Sequence, residues 1–146
     1  MTAAPVIVVG VDGSDGSRDA ARWAAGQARL TGAELRAVAS WRWPSYVTRI
    51  PPGVDLRADT QRTLHEVMAE IRAEFSDVPV SERVVEGPGG PALLSQADGA
   101  TLLVVGARGR AAFPGMLLGS VAEYCVRNGS CPVVVVRAPA AQDSRH

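Results

Sequence analysis

Short apolar runs and longer amphipathic stretches alternate along this chain, separated by glycine, proline and small polar residues. Residues 6–11 form a continuous, largely β-branched run that stops at Asp12-Gly13-Ser14, the pattern of a strand buried on both faces. Residues 17–31 are alanine-rich and end at Gly32, which predicts a helix with a glycine C-cap. Residues 34–41 predict a second strand. Residues 42–54, with Pro44, Pro51, Pro52 and Gly53, read as a loop. In residues 55–76, Leu56, Thr60, Leu64, Val67, Met68, Ile71 and Phe75 fall on one face of a helix at spacings of three and four. Arg57, Arg62, Glu66, Glu70 and Glu74 lie off that stripe and form its solvated side. Residues 79–86 are more polar and predict an edge strand. Residues 87–90 read as a turn, 91–98 as a short helix and 101–105 as a fourth strand ending at Gly106. Residues 120–128 predict a helix stopped by Gly129, and 132–136 a fifth strand.

Strands of this buried type, joined by helices, pair in parallel, because a parallel crossover needs a long connection. Right-handed crossovers then give an α/β fold: one domain with a doubly wound, five-stranded parallel sheet and helices on both faces. The domain is expected to span 1–139. The chain from Ala138 onward is small or polar, and residues 140–146 are expected to be a disordered tail.

Composition narrows the function. The chain has 146 residues, 47% hydrophobic and 21% charged, enough for one core. Fifteen basic and fifteen acidic residues balance, so neither a nucleic-acid footprint nor a membrane-binding basic patch is present. No apolar run approaches the roughly 20 residues of a membrane helix. No positive charge precedes the first apolar stretch, so a secretion signal is not expected and a cytoplasmic location is. Every basic side chain is arginine. Without lysine there is no Walker A loop, no Schiff-base chemistry and no catalytic lysine. Of two histidines, His65 falls in the long helix and His146 ends the chain, and no G-x-S-x-G elbow accompanies them. Cys125 and Cys131 lack metal-ligand spacing and read as reduced, mostly buried thiols.

In open α/β sheets, ligands bind beyond the carboxyl ends of the strands, where strand order reverses. The connection after the fourth strand, from Gly106 to Ser120, is long for a strand-to-helix loop, glycine-studded and apolar. Glycines let backbone amides approach an anion, and a helix start carries free amides and about half a positive charge. Arg108 and Arg110 add cationic forks suited to phosphate. Ser120-Val-Ala-Glu123 also has the form of a capping box, which explains the serine without a ligand. Asp12, directly after the first strand, either shapes the turn into the first helix or accepts hydrogen bonds from a ribose or base. Gly87-Pro-Gly89-Gly-Pro-Ala92 fits a dinucleotide fingerprint in form, but no acidic residue follows about 20 positions on, and its prolines suggest a turn. Trp41, Trp43 and Tyr46 follow the second strand and are expected to cover the sheet edge or an interface. The backbone near Ser40 is placed to read an adenine edge.

Gly106-x2-Gly109-x9-Gly119-Ser120 matches the G-2x-G-9x-G-(S/T) motif, and the chain resembles the ATP-binding universal stress proteins over nearly its whole length. Val9-Gly-Val-Asp-Gly-Ser14 and the closing Leu-Leu-Gly-Ser-Val-Ala-Glu and Cys-Pro-Val-Val-Val-Val-Arg segments match at both ends. The resemblance implies strand order 3-2-1-4-5, one ATP per subunit, and a homodimer through the last strand, Val133, Val134, Val135 and Val136. It implies that Gly10 and Asp12 line the nucleoside side, with Asp12 at the ribose and the Ser40 backbone at adenine. Gly106, Ala107, Arg108, Gly109 and Arg110 would wrap the phosphates, with Gly119, Ser120 and Val121 completing the wrap. The motif does not demand the two arginines. An apolar edge strand also gives the dimer a physical rationale, since self-pairing removes an aggregation hazard.

The expected function is an ATP-binding, nucleotide-dependent regulatory module in the stress response. ATP, with or without Mg2+, would be its ligand, and the loop from Gly106 to Leu118 its responsive element. The alternative is an enzyme on the same fold: a slow ATPase, or a phosphoryl- or adenylyl-transferase. Missing lysine, no well-placed histidine and no evident base count against it. A scaffold that never binds nucleotide is the third reading, opposed by the intact glycine motif. The residues alone leave ATP and other adenine nucleotides, cyclic forms included, open.

Overall fold

The computed structural model describes residues 4–110 and 113–137. Among these residues nine elements follow in strict alternation: β1 (Val6–Gly10), α1 (Asp15–Thr31), β2 (Glu34–Trp41), α2 (Leu56–Glu74), β3 (Val80–Glu86), α3 (Gly89–Gln96), β4 (Leu102–Gly106), α4 (Ser120–Asn128) and β5 (Val133–Val136). The five strands form one sheet in the order β3-β2-β1-β4-β5. All four pairings are parallel, with Val8 opposite Arg36 and Leu103.

The alternation of side chains along each strand divides the core in two. Ile7, Val9, Leu35, Ala37 and Val104 point to one face and pack with Ala20, Ala21, Ala24, Ala25 and Ala28 of α1 and Leu64, Val67, Met68 and Ile71 of α2. Val8, Val38, Leu103 and Val105 point to the other, against Leu93 and Ala97 from the α3 side and Ala122 and Cys125 of α4. Alanines along α1 let that helix lie close on the central strands. The buried members of the α2 stripe are Leu64, Val67, Met68 and Ile71, while its end residues Leu56 and Phe75 are half-buried.

Most boundaries differ from expectation by one or two residues, and the larger differences have local causes. α1 starts at Asp15 rather than at residue 17, because Ser14 caps it by accepting the Ser17 amide (3.2 Å). α3 starts at Gly89, so the expected turn over 87–90 runs only to Pro88. Pro91 lies in its first turn, where a missing N–H costs nothing. The capping box at Ser120 does not form. Gly119 is the N-cap of α4, with no side-chain cap bond, and Glu123 pairs with Arg127 (3.1 Å) instead of reaching back. The expected tail from Ala138 lies outside the described residues. Among the described residues, no helix is long and apolar enough to cross a membrane.

Removing the Leu64 side chain leaves a void under α2. Leu64→Ala is expected to lower unfolding stability by about 3 kcal/mol, whereas Leu30→Ala, at a side chain 79% exposed, should change it by under about 0.5 kcal/mol. Urea unfolding followed by circular dichroism reads both.

Candidate functional site

Strand order reverses between β1 and β4: the chain leaves β1 toward β2 and β3, then returns to the other side of β1. The loops at the carboxyl ends of these two strands diverge there and open a cleft of about 330 Å3, within the ordinary range for small-ligand sites. Gly10, Asp12, Ser40, Gly106, Arg108, Gly109, Arg110, Gly119, Ser120 and Val121 all line it. Ala107 does not. It is buried, its amide donates to Val136 (2.8 Å) and its carbonyl accepts the Gly119 amide (2.6 Å). Those two bonds close the base of the long loop and join it to β5, so Ala107 shapes the cleft from behind.

The loop after β4 is pressed onto the start of α1. A Cβ on Gly16 would lie 2.7 Å from the Arg108 carbonyl oxygen, and one on Gly106 would lie 2.9 Å from the Gly16 carbonyl oxygen. Two backbones therefore meet with no side chain between them.

Asp12 ties the same two segments together. Its Oδ1 accepts the Ser14 amide (2.9 Å) and hydroxyl (2.6 Å), the Asx arrangement that turns the chain into α1. Its Oδ2 accepts the Arg110 amide across the cleft (3.0 Å). Gly109 covers that oxygen so closely that a Cβ would sit 2.5 Å away. Burial pushes the Asp12 carboxyl up, but hydrogen bonds from the Ser14 hydroxyl and amide, the Arg110 amide and Ser17 outweigh it, and the group is held below the usual carboxylate value.

Opposite Asp12, α4 begins. Its first amides receive no side-chain cap, and its start, Ser120 and Val121, lines the cleft. Uncapped amides at a helix start attract anions. Arg108 and Arg110 are exposed at the rim, and neither forms an ion pair with any described residue. The arrangement offers backbone donors and arginines to an anion, and an apolar inner wall of Val38, Leu93 and Val105 to a flat or hydrophobic group.

Sequence reasoning missed Gly16, which lies outside any motif and whose role appears only where two segments distant in sequence meet. It assigned Gly89 to a turn, whereas Gly89 opens α3 and lines the cleft beside Ser40. Ser14, Ser17, Leu93 and Met116 are further lining residues it did not name. Trp41, Trp43 and Tyr46 do not line the cleft, and Tyr46 is 82% exposed. Cys125 is a free, buried thiol pushed up to about 11 by burial and its neighbour Cys131, a poor nucleophile. No group of three or more metal-ligating side chains occurs among the described residues.

A doubly wound parallel sheet with a glycine-lined cleft at its switch point is the open α/β class, in which ligands bind beyond the carboxyl ends of the strands. The chain belongs to the universal stress protein family, whose sequence model matches residues 5–137. A universal stress protein of Mycobacterium tuberculosis is 36% identical over 91% of this chain, which covers 44% of that protein. The chain thus spans less than half the length of the curated relatives it matches. A universal stress protein crystallised in complex with cAMP is 31% identical, with TM-score 0.68, covering 92% of this chain and 98% of that one. A universal stress protein from Archaeoglobus fulgidus in complex with dAMP is 24% identical, with TM-score 0.70 over 93% of this chain and 99% of that one, a likeness of fold.

The Asp12 network makes stability depend on pH. A carboxyl lowered in the folded state contributes fully above its unfolded pKa of about 3.9 and loses that contribution as pH falls through the lower folded value. The urea midpoint of the wild type should therefore exceed that of Asp12→Asn by most at pH 7, and the gap should narrow below about pH 4. An equal gap at pH 7 and pH 3 would contradict the assignment.

Proposed function

We propose that this chain is an ATP-binding regulatory module: the cleft between β1 and β4 takes an adenine nucleotide, and its occupancy sets what the surrounding surface presents to partners. The observation that carries this reading is the pairing of an uncapped α4 start with a loop whose Gly106, Gly109 and Gly119 bring backbone close to the same cleft. The triphosphate would lie on the amides of Ser120 and Val121, beside Gly119, and along Gly106, Arg108, Gly109 and Arg110. Asp12 would face the ribose, and the backbone at Ser40 and Gly10 the nucleoside. Relatives solved with cAMP and dAMP support an adenine ligand. Mg2+ would be held by phosphate oxygens and water, with Asp12 the nearest carboxylate donor.

A binding role is favoured over turnover by the lining itself. Among the described residues, Asp12 is the one carboxylate that lines the cleft. Held below its ordinary value, it is a weak general base. The second structural element of the reading is β5, an edge strand of four half-buried valines. A twofold pairing of Val133, Val134, Val135 and Val136 with a second copy would cover that edge.

Gly109→Ala forces a Cβ against Asp12 Oδ2 and is expected to weaken ATP binding at least tenfold, about 1.4 kcal/mol. Gly16→Ala pushes the loop off α1 and should weaken ATP at least as much while leaving adenosine affinity within about twofold. Isothermal calorimetry reads both, and unchanged ATP affinity in both variants would remove the proposed site. Native mass spectrometry of the freshly purified protein is expected to show a dimer carrying adenine nucleotide. A monomer would contradict the β5 pairing.

A further inference from the structure

A carboxylate offers about four acceptor positions on its two oxygens. In Asp12 three donors occupy them. Oδ1 accepts the amide and hydroxyl of Ser14. Oδ2 accepts the Arg110 amide, and on its other side only a glycine fits, since a Cβ on Gly109 would lie 2.5 Å from it. A hydroxyl arriving from the cleft at Oδ2 therefore competes with a donor that is already there.

The two sides of the carboxylate differ in what displacement costs. The Ser14 hydroxyl that donates to Oδ1 also accepts the Ser17 amide (3.2 Å), so moving it would undo the cap of a 17-residue helix. The Arg110 bond carries no such burden. It is exposed and joins segments 98 residues apart. Among the described residues it is the one side-chain hydrogen bond that fastens the loop after β4 to the β1–α1 turn.

We propose that Asp12 Oδ2 is a two-position acceptor, holding the Arg110 amide in one state and a ribose hydroxyl in the other, so that seating the sugar releases Arg110 toward the phosphates. The inference rests on the reading of the cleft as a nucleotide site and adds its regulation. Ribose and phosphate recognition become coupled through one oxygen atom. A ligand with both hydroxyls and phosphates satisfies both sides of the exchange. One with hydroxyls alone strands the Arg110 amide. One without hydroxyls leaves the tether closed.

Amide hydrogen exchange, followed by NMR on the full chain, tests this residue by residue. Adenosine, 2′,3′-dideoxyadenosine and ATP are compared at matched occupancy, read from the Gly10 and Ser40 amide resonances. Adenosine is expected to speed exchange at Arg110 at least tenfold. Dideoxyadenosine should leave it within about twofold, and ATP should move the resonance while keeping it protected. Asp12→Ala without ligand should show the fast exchange directly, with Asp12→Leu, which has no acceptor, as the substitute if the alanine variant unfolds. Bound adenosine with unchanged exchange at Arg110, or unchanged exchange in the Asp12 variants, overturns the proposal. If neither adenosine nor ATP moves any cleft resonance, the nucleotide reading falls and takes this inference with it.

Discussion

The candidate site depends on one close approach. The first turn of α1 and the chain leaving β4 touch backbone to backbone at Gly16, Gly106 and the Arg108 carbonyl. Close packing of this kind leaves no room to adjust, because a single Cβ on either side would fall inside contact distance. The approach holds the glycine loop open toward the cleft and sets it within reach of Asp12. Much of the fold can be understood as the support for that contact. Parallel β1 and β4 lie side by side at the switch point, and alanine-rich α1 packs closely enough on them for its first turn to meet the loop.

Charge is arranged asymmetrically around the contact. The N-terminus of α1 is capped by Ser14 and neighboured by a carboxylate, so its dipole is already answered from within the chain. The N-terminus of α4 has no side-chain cap, and two arginines stand at the rim without carboxylate partners among the described residues. One wall of the cleft is thus satisfied and the other receptive. That difference orients any bound anion toward α4 and leaves the Asp12 side for neutral donors such as hydroxyls.

The architecture was legible from periodicity because each element is buried in the manner its pattern predicts. Continuous apolar runs became the central strands β1 and β4, and the three-and-four stripe of α2 became the face carrying Leu64, Val67, Met68 and Ile71. The site was legible where a motif names its residues. Gly106, Gly109, Gly119 and Ser120 line one cleft with Asp12 and Ser40, which lie far away in sequence. It was not legible where a role arises only from contact between distant segments. Gly16 is an ordinary helix-start glycine until the loop after β4 lies against it. Ser120 fits a capping box by spacing alone, but the chain bends at Gly119 through its bond to Ala107, which moves the cap one residue earlier. Ala107 fits the phosphate wrap by position, yet both its backbone groups are engaged in closing the loop.

A crystal structure grown with ATP and Mg2+ tests the central claim most directly. The account predicts the phosphate chain lying on the amides of Ser120 and Val121, within hydrogen-bond distance of about 3 Å, with Gly16 still in contact with the loop. Nucleotide density anywhere else on the chain, or an α4 start whose amides bond to the protein instead of to phosphate, would contradict it.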